Sequence, residues 1–191
     1  MSVTVNMVIS HELEFVYLGI PRTANRATHF ALLQLPGAIQ HSHLHEMEIP
    51  DQCKSYFTFC CVRNPYQRFL SWYRWRSIPH PWGQTVKDWT FAEYVERVGN
   101  RELGPMTVRG FTQNNRLDHV YRFEDLPLSL QSIDRIRGIE SVKLEVCGQK
   151  LSRHWQQFFD QRLADRVYRI CQADFEEFGY DRDSWRMEGY A

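Results

Sequence analysis

The sequence lacks an excess of charge of either sign. Its 191 residues include 23 Lys and Arg against 23 Asp and Glu, so the formal net charge at pH 7 is zero. Proteins that bind nucleic acids usually carry a basic excess, and we expect no such partner. The sequence also lacks an apolar run long enough to span a bilayer, and its first residues do not have the pattern of a signal peptide. These absences predict a cytoplasmic chain without a membrane partner.

Cysteine pairs with the spacing of metal ligands are missing as well. The five cysteines include no Cys-x-x-Cys pair, and we expect no metal site. Cys60 and Cys61 are neighbours in one apolar run, so on a strand they would point to opposite faces and would be poor disulfide partners. We therefore expect buried, reduced thiols. No pattern in the sequence indicates the oligomeric state.

The chain does contain apolar runs of two different periods. Three β-prone runs are typical of buried strands: residues 14–20, 56–62 and 119–121. Four segments have apolar residues at helical spacing: residues 25–35, the stretch from Pro65 onwards, residues 91–98, and residues 154–178, which Gly179 closes. Strands that alternate with helices predict parallel strands joined by crossover helices. We expect a single α/β domain over residues 1–191, with three layers (α/β/α) and a central parallel sheet.

A polar segment follows the first strand and opens the first helix. It consists of Pro21, Arg22, Thr23, Ala24, Asn25, Arg26, Ala27 and Thr28. Ligands of such sheets bind at the carboxyl ends of the strands, and a helix N-terminus offers backbone N–H groups to a phosphate. The arginines and threonines add further donors. The segment lacks the glycines and the lysine of a GxxxxGK[ST] loop, and by itself an ordinary turn and helix cap would explain it equally well.

A cation follows the second strand. Arg63 stands at the strand end, and Ser71 lies about two helical turns further on, within reach of the same anion. A nucleotide triphosphatase would normally place an Asp here to help hold Mg²⁺. The cation favours a second phosphate over a metal, although Arg63 and Arg68 could instead pair with acids on the surface.

Four segments of the chain resemble the sulfotransferases that use 3′-phosphoadenosine-5′-phosphosulfate (PAPS), and the carbohydrate-type and bacterial branch in particular. They are residues 15–23 (the 5′-phosphosulfate loop, commonly Pro-Lys-Thr-Gly-Gly-Thr-Ser after a strand), 57–73 (the 3′-phosphate element), 121–126 (Arg-Phe-Glu-x-Leu) and 173–180 (Asp-Phe-x-x-Phe-Gly-Tyr). The resemblance implies a P-loop-like fold. It also implies sulfuryl transfer from PAPS to a hydroxyl of a glycan or other hydroxylated acceptor, with 3′,5′-adenosine bisphosphate as product.

The resemblance also implies roles for particular residues. Arg63, Ser71 and Arg153 would bind the 3′-phosphate, although helix capping explains Arg153 about as well. The residues that would hold the 5′-phosphate and the sulfate are Arg22, Thr23, Ala24, Asn25, Arg26, Ala27 and Thr28. Arg22 replaces the usual lysine, so it can neutralise charge on the bridging oxygen but cannot donate a proton.

Two other functions remain open. The altered loop, with Asn25 at the second glycine and Arg26-Ala27 at the Thr-Ser pair, is compatible with a non-catalytic PAPS- or nucleotide-binding protein derived from such an enzyme. A P-loop kinase is disfavoured because the loop lysine and the strand-end Asp are both missing.

Histidines precede the second strand and are candidates for the general base. His41 best fits the position that the resemblance implies for a base that deprotonates the acceptor hydroxyl, and His43 is the second candidate. Glu46 and Glu48 are the alternatives. Histidines that alternate along a loop could also be solvated surface or a weak, adventitious metal site.

Overall fold

The computed structural model describes residues 7–41, 48–79, 86–100, 107–126, 128–131, 133 and 154–186. The chain divides into two compact units, one comprising Met1–Arg63 and Val108–Gly148 and the other Asn64–Thr107 and Gln149–Ala191. The single domain over residues 1–191 stays a prediction. The described helices, in chain order, are α1 (Asn25–Leu32), α2 (Pro65–Arg76), α3 (Phe91–Gly99), α4 (Val108–Thr112), α5 (Leu128–Gln131) and α6 (Gln161–Phe178).

A sheet forms the centre of the first unit. Its described strands are β1 (Met7–Ser10), β2 (Phe15–Leu18), β3 (Ala38–Gln40), β4 (Phe57–Val62) and β5 (His119–Arg122), in the spatial order β3-β1-β2-β4-β5. β2, β4 and β5 are parallel, whereas β1 is antiparallel to both of its neighbours. The α/β class with a mostly parallel central sheet is therefore confirmed, with β1 as the strand that runs the other way.

The sequence pattern does not predict β1 or β3. These strands have four and three residues, and they form by pairing with segments elsewhere in the sheet. The hydroxyl of the buried Ser10 stabilises the connections of β1. It accepts a hydrogen bond from the Leu13 N–H (3.1 Å) in the turn between β1 and β2, and it donates one to the Pro36 carbonyl (2.7 Å). That second bond ties the end of β1 to the segment that leads into β3.

Both faces of the central strands are buried, and a large apolar cluster of the first unit lies on one of these faces. Alternate residues of three parallel strands point to this face and meet the end of α1, because side chains of a strand alternate between faces. The buried members of this cluster are Val8, Phe15, Tyr17, Leu32, Leu35, Phe59, Cys61, Tyr121, Leu130 and Ile133. Cys60, next to Cys61, is also buried, and the four described cysteines (Cys53, Cys60, Cys61 and Cys171) are free thiols, as expected.

Helices α2, α3 and α6 build the second unit around a core rich in aromatic side chains. Each helix begins at a residue whose side chain accepts a hydrogen bond from the first turn. The side chain of Asn64 accepts from the Tyr66 N–H (3.0 Å), that of Thr90 from the Glu93 N–H (3.2 Å), and that of Asp160 from the Leu163 N–H (2.8 Å). Pro65 occupies the first position of α2, as the sequence predicts.

The last helix is shorter than the sequence predicts. It begins at Gln161 and not at His154, because Asp160 caps it and the preceding residues Trp155–Phe158 form a separate 3₁₀ helix. Its end is as predicted: Gly179 has a left-handed backbone (φ 62°), and its N–H donates to the Phe175 carbonyl.

A buried ion pair joins α2 to α6. Nη2 of Arg68 lies 2.7 Å from Oδ2 of Asp174, and the two side chains are only 1% and 2% exposed. The sulfur of Cys171 lies 3.9 Å from the same guanidinium nitrogen. Arg68 therefore does pair with an acid, but with one in the core of the unit and not on its surface.

We expect Asp174→Ala to destabilise the chain by about 3–5 kcal/mol, because it leaves the Arg68 guanidinium buried without its counter-ion. The double variant Arg68→Met/Asp174→Leu should be much less destabilised, since it removes both charges and keeps the volume. Urea unfolding followed by circular dichroism measures both. Asp183→Ala, which breaks the exposed pair with Arg186, is the control and should change little. A double variant as unstable as Asp174→Ala would contradict this account.

Candidate functional site

Three of the segments singled out in the sequence lie along one edge of the sheet in the first unit. The carboxyl ends of parallel strands share an edge, and the register pairs Leu18 of β2 with Cys60 of β4. The polar segment after β2 and Arg63 after β4 therefore leave the sheet side by side. β3 is separated from β2 by one antiparallel strand, so it runs in the same direction as β2 and also ends at this edge.

The segment after β2 has an unusual backbone. Arg22 (φ 70°) and Ala24 (φ 60°) are both left-handed, a conformation that costs a non-glycine residue about 1–2 kcal/mol. Ala24 precedes α1 without a side-chain cap, and it stands where the family pattern has its first glycine. Turns with left-handed residues direct backbone N–H groups towards a common point and bind anions. Strain of this kind is typical of functional sites.

Both threonines of this segment are buried and hydrogen-bonded within the protein. The Thr23 hydroxyl donates to the Ile20 carbonyl (2.8 Å), and the Thr28 hydroxyl accepts from the Tyr121 hydroxyl (3.3 Å). Ala27 is buried as well, whereas Arg22 and Asn25 are partly exposed and Arg26 is exposed. Arg22 and Arg26 are thus the cationic side chains of this segment, and both are at least partly exposed to solvent.

Gly19 allows the close approach of the Asn25 side chain. A Cβ atom at position 19 would lie 2.1 Å from Oδ1 of Asn25, so any larger residue would displace that side chain. The second glycine of the family pattern is therefore replaced here by an amide that packs over the backbone of the preceding strand end.

Arg63 is held against the same segment. It is 7% exposed, its Nη1 donates to the Arg22 carbonyl (3.2 Å), and its guanidinium lies 4.0 Å from the centre of the Phe123 ring. Ser71, the predicted second ligand of the 3′-phosphate, is a buried residue of α2 in the second unit. Arg153 lies outside the described residues.

His41 lies at the sheet edge just after β3. Its N–H donates to the Met7 carbonyl (3.2 Å), and Met7 pairs with Leu18. His41 is thus level with the end of β2 and two strand spacings away, which is about 10 Å. Its side chain is exposed. His43 and Glu46 lie outside the described residues, and Glu48 is exposed.

Several buried groups near this segment stay neutral at physiological pH. Burial raises the pKa values of Tyr17, Tyr121 and the Cys61 thiol well above their ordinary values, so all three stay neutral. His29 of α1 is 1% exposed, and burial lowers its pKa to about 4, so it is neutral too. Sequence patterns assign no role to Tyr121 or Phe123, although both lie in the segment that resembles Arg-Phe-Glu-x-Leu, and that resemblance is the signal that could have found them.

Among the described residues, no group of three or more His, Cys, Asp or Glu side chains is arranged to hold a metal ion. Nor does any helix in the described part of the chain combine the length and the apolar character that a membrane crossing requires.

One comparison with known proteins gives a match. A family model described as "Sulfotransferase family" matches residues 5–181. No curated protein and no solved structure matches the chain. The matched range includes the segment after β2, Arg63, and the ion pair between α2 and α6.

We expect His29 to make the chain sensitive to acid. Its imidazole titrates near pH 6.5 in the unfolded chain and only near pH 4 when buried, so the unfolded state takes up a proton first as the pH falls. Stability that is present above about pH 6.5 should decline by about 3 kcal/mol towards pH 4.

Urea unfolding at several pH values tests this expectation. His29→Gln should flatten the decline between pH 6.5 and 4, because the titrating group is gone. His11→Gln, which replaces an exposed histidine, should leave the decline in place since His29 is intact. An unchanged pH dependence in His29→Gln would show that other groups cause it.

Proposed function

This chain belongs to the sulfotransferase family, whose reaction is sulfuryl transfer, and we propose that its donor is PAPS and its acceptor a hydroxyl of a glycan or other hydroxylated molecule. The observation that carries the proposal is the position of Arg63, a buried cation that donates a hydrogen bond to the Arg22 carbonyl in the turn after β2. PAPS has two anionic ends, and a donor site needs cationic groups for both.

The segment after β2 fits the phosphosulfate end of PAPS. Its left-handed residues and the N-terminus of α1 offer backbone N–H groups, and Arg22 and Arg26 add positive charge. We propose that these backbone groups and arginines hold the 5′-phosphate and the sulfate. The hydroxyls of Thr23 and Thr28 already bond within the protein, so their main contribution in this proposal is to hold the turn in shape.

Arg63 fits the 3′-phosphate end. It follows β4 at the position where a nucleotide triphosphatase would have an Asp for Mg²⁺, and a cation there favours a phosphate ligand without a metal. We propose that Ser71 and Arg153 also bind the 3′-phosphate, as the family resemblance implies. The product would be 3′,5′-adenosine bisphosphate, and the reaction would not need a metal.

The chemical step in this proposal is an in-line transfer. When bound, PAPS supplies the sulfuryl group, and the bond from its sulfur to the bridging oxygen breaks as the acceptor oxygen bonds to sulfur. His41 accepts the proton of the acceptor hydroxyl, since an imidazole is the usual base near neutral pH. Arg22 and Arg26 stabilise the charge that develops on the bridging oxygen and on the sulfate oxygens.

Turnover separates this proposal from its alternatives. The purified chain is incubated with PAPS and a panel of hydroxylated acceptors in EDTA, and both 3′,5′-adenosine bisphosphate and the sulfated acceptor are followed by mass spectrometry. Turnover supports the proposal. Binding of PAPS without turnover favours the non-catalytic binding protein, and activity that needs ATP and Mg²⁺ would indicate a kinase. The cytoplasmic location stays a prediction.

We expect Arg63→Ala to weaken binding of 3′,5′-adenosine bisphosphate by about tenfold or more, because a charge-assisted contact of about 1.5–3 kcal/mol is lost. Binding of AMP, which has no 3′-phosphate, should change less. Calorimetry with both ligands measures this, and Ser71→Ala should behave in the same way. Arg116→Ala, which removes an exposed arginine of the same unit, is the control. Equal affinity of the wild type for the two ligands would contradict the assignment.

We expect His41→Ala to lower kcat by about a hundredfold or more, because the acceptor loses its base. Affinity for 3′,5′-adenosine bisphosphate should not change, since His41 lies two strands away from β2. Steady-state kinetics and calorimetry check the two parts.

His43→Ala is the matched control and should stay active. An inactive His43→Ala variant beside an active His41→Ala variant would assign the role to His43. If both variants stay active, the base is a carboxylate, and Glu46 and Glu48 are then the candidates.

A further inference from the structure

We propose that Phe123 is a positioning residue that holds the Arg63 guanidinium in the orientation in which it binds a 3′-phosphate. The inference rests on the proposed function, because it concerns how the donor site is prepared for its ligand. It gives a role to the Phe of the Arg-Phe-Glu-x-Leu segment, to which neither the sequence nor the family match assigns one.

The pairing of β4 with β5 brings the two side chains together. The register is parallel and pairs Val62 with Arg122, so the next residue of each strand, Arg63 and Phe123, leaves the sheet at the same level. The backbone then turns at once, because Phe123–Asp125 form a 3₁₀ helix. The centre of the Phe123 ring lies 4.0 Å from the guanidinium carbon of Arg63.

Stacking is a suitable way to hold a cation that must also bind an anion. The N–H donors of a guanidinium all lie in its plane, so contact between its face and an aromatic ring uses none of them. The ring also replaces water over that face and attracts the positive charge. Arg63 donates a hydrogen bond to the Arg22 carbonyl while its guanidinium carbon lies over the Phe123 ring.

This arrangement restricts the rotamers of the Arg63 side chain before the nucleotide binds. An arginine that is already ordered loses less rotamer entropy on binding, which increases affinity. Arg63 is only 7% exposed, so its orientation is set by the groups around it and not by solvent. Loss of the ring should therefore weaken recognition of the 3′-phosphate in particular, while the rest of the nucleotide binds as before.

The test compares two affinities in each variant. Calorimetry with 3′,5′-adenosine bisphosphate and with AMP gives the preference for a 3′-phosphate as a ratio. We expect Phe123→Leu to lower this ratio by about three- to tenfold, the effect of losing one partly desolvated cation–π contact. Phe123→Tyr, which keeps the ring, should retain the wild-type ratio. Phe123→Met, which keeps most of the apolar volume without a ring, serves if the Leu variant does not fold.

Phe57→Leu is the matched control. Phe57 packs, like Phe123, against the core cluster of the first unit and is partly buried. It begins β4, however, and thus lies at the opposite end of that strand from Arg63. The same substitution there should lower stability without changing the ratio.

Each outcome decides the proposal. A ratio that is lowered in Phe123→Leu or Phe123→Met and retained in Phe123→Tyr supports it, because the aromatic ring is then what matters. A wild type that prefers the bisphosphate together with ring-less variants that keep this preference would overturn it and leave the proposed function intact. A wild type that does not distinguish the two ligands would overturn both. A ratio that falls as much in Phe57→Leu would also overturn the inference, since the effect would then be a general loss of packing.

Discussion

Backbone hydrogen bonds between β4 and its two parallel neighbours determine the relative positions of the residues that follow these strands, which are the proposed donor-binding residues of the first unit. The register pairs Leu18 with Cys60 and Val62 with Arg122. A slip by one residue would turn each side chain to the other face of the sheet, since the period of a strand is two. The residues that follow the strands, including Arg63 and Phe123, meet only because these ladders are aligned.

The left-handed turn after β2 is supported by buried hydroxyls that bond within the core. A hydroxyl buried without a partner costs free energy, and the bonds of Thr23 to Ile20 and of Tyr121 to Thr28 avoid that cost. They also help hold a backbone that is left-handed at Arg22 and Ala24. Hydrogen bonds of buried hydroxyls thus stabilise the strained turn, while the side chains of Arg22 and Arg26 remain at least partly exposed to solvent.

The second unit shows that residues of two family segments can contribute to the core. Arg68 lies in the segment that resembles the 3′-phosphate element, and Asp174 lies in the closing segment, yet the two form a buried ion pair with each other. Breaking such a pair on one side is far more costly than replacing both partners, because a lone buried charge has no compensation. This pair holds α2 against α6.

The sequence was sufficient to predict the longer elements and the cationic residues at the strand ends. Run 56–62 is long, apolar and β-prone, and Pro65 and Gly179 mark helix ends through their own backbone preferences. It could not predict β1 and β3, whose pairing depends on contacts between short segments and on the Ser10 hydroxyl.

Local pattern alone determined the α/β class, the position of the polar segment after β2 and the position of the cation Arg63 after β4. Only the tertiary structure decided what those side chains contact: Phe123 under Arg63, Tyr121 on Thr28, and a buried Asp174 beside Arg68. The physical reason is distance along the chain. Propensity and periodicity act over a few residues, whereas these contacts join residues that are 60, 93 and 106 positions apart and come together only when strands and helices pack.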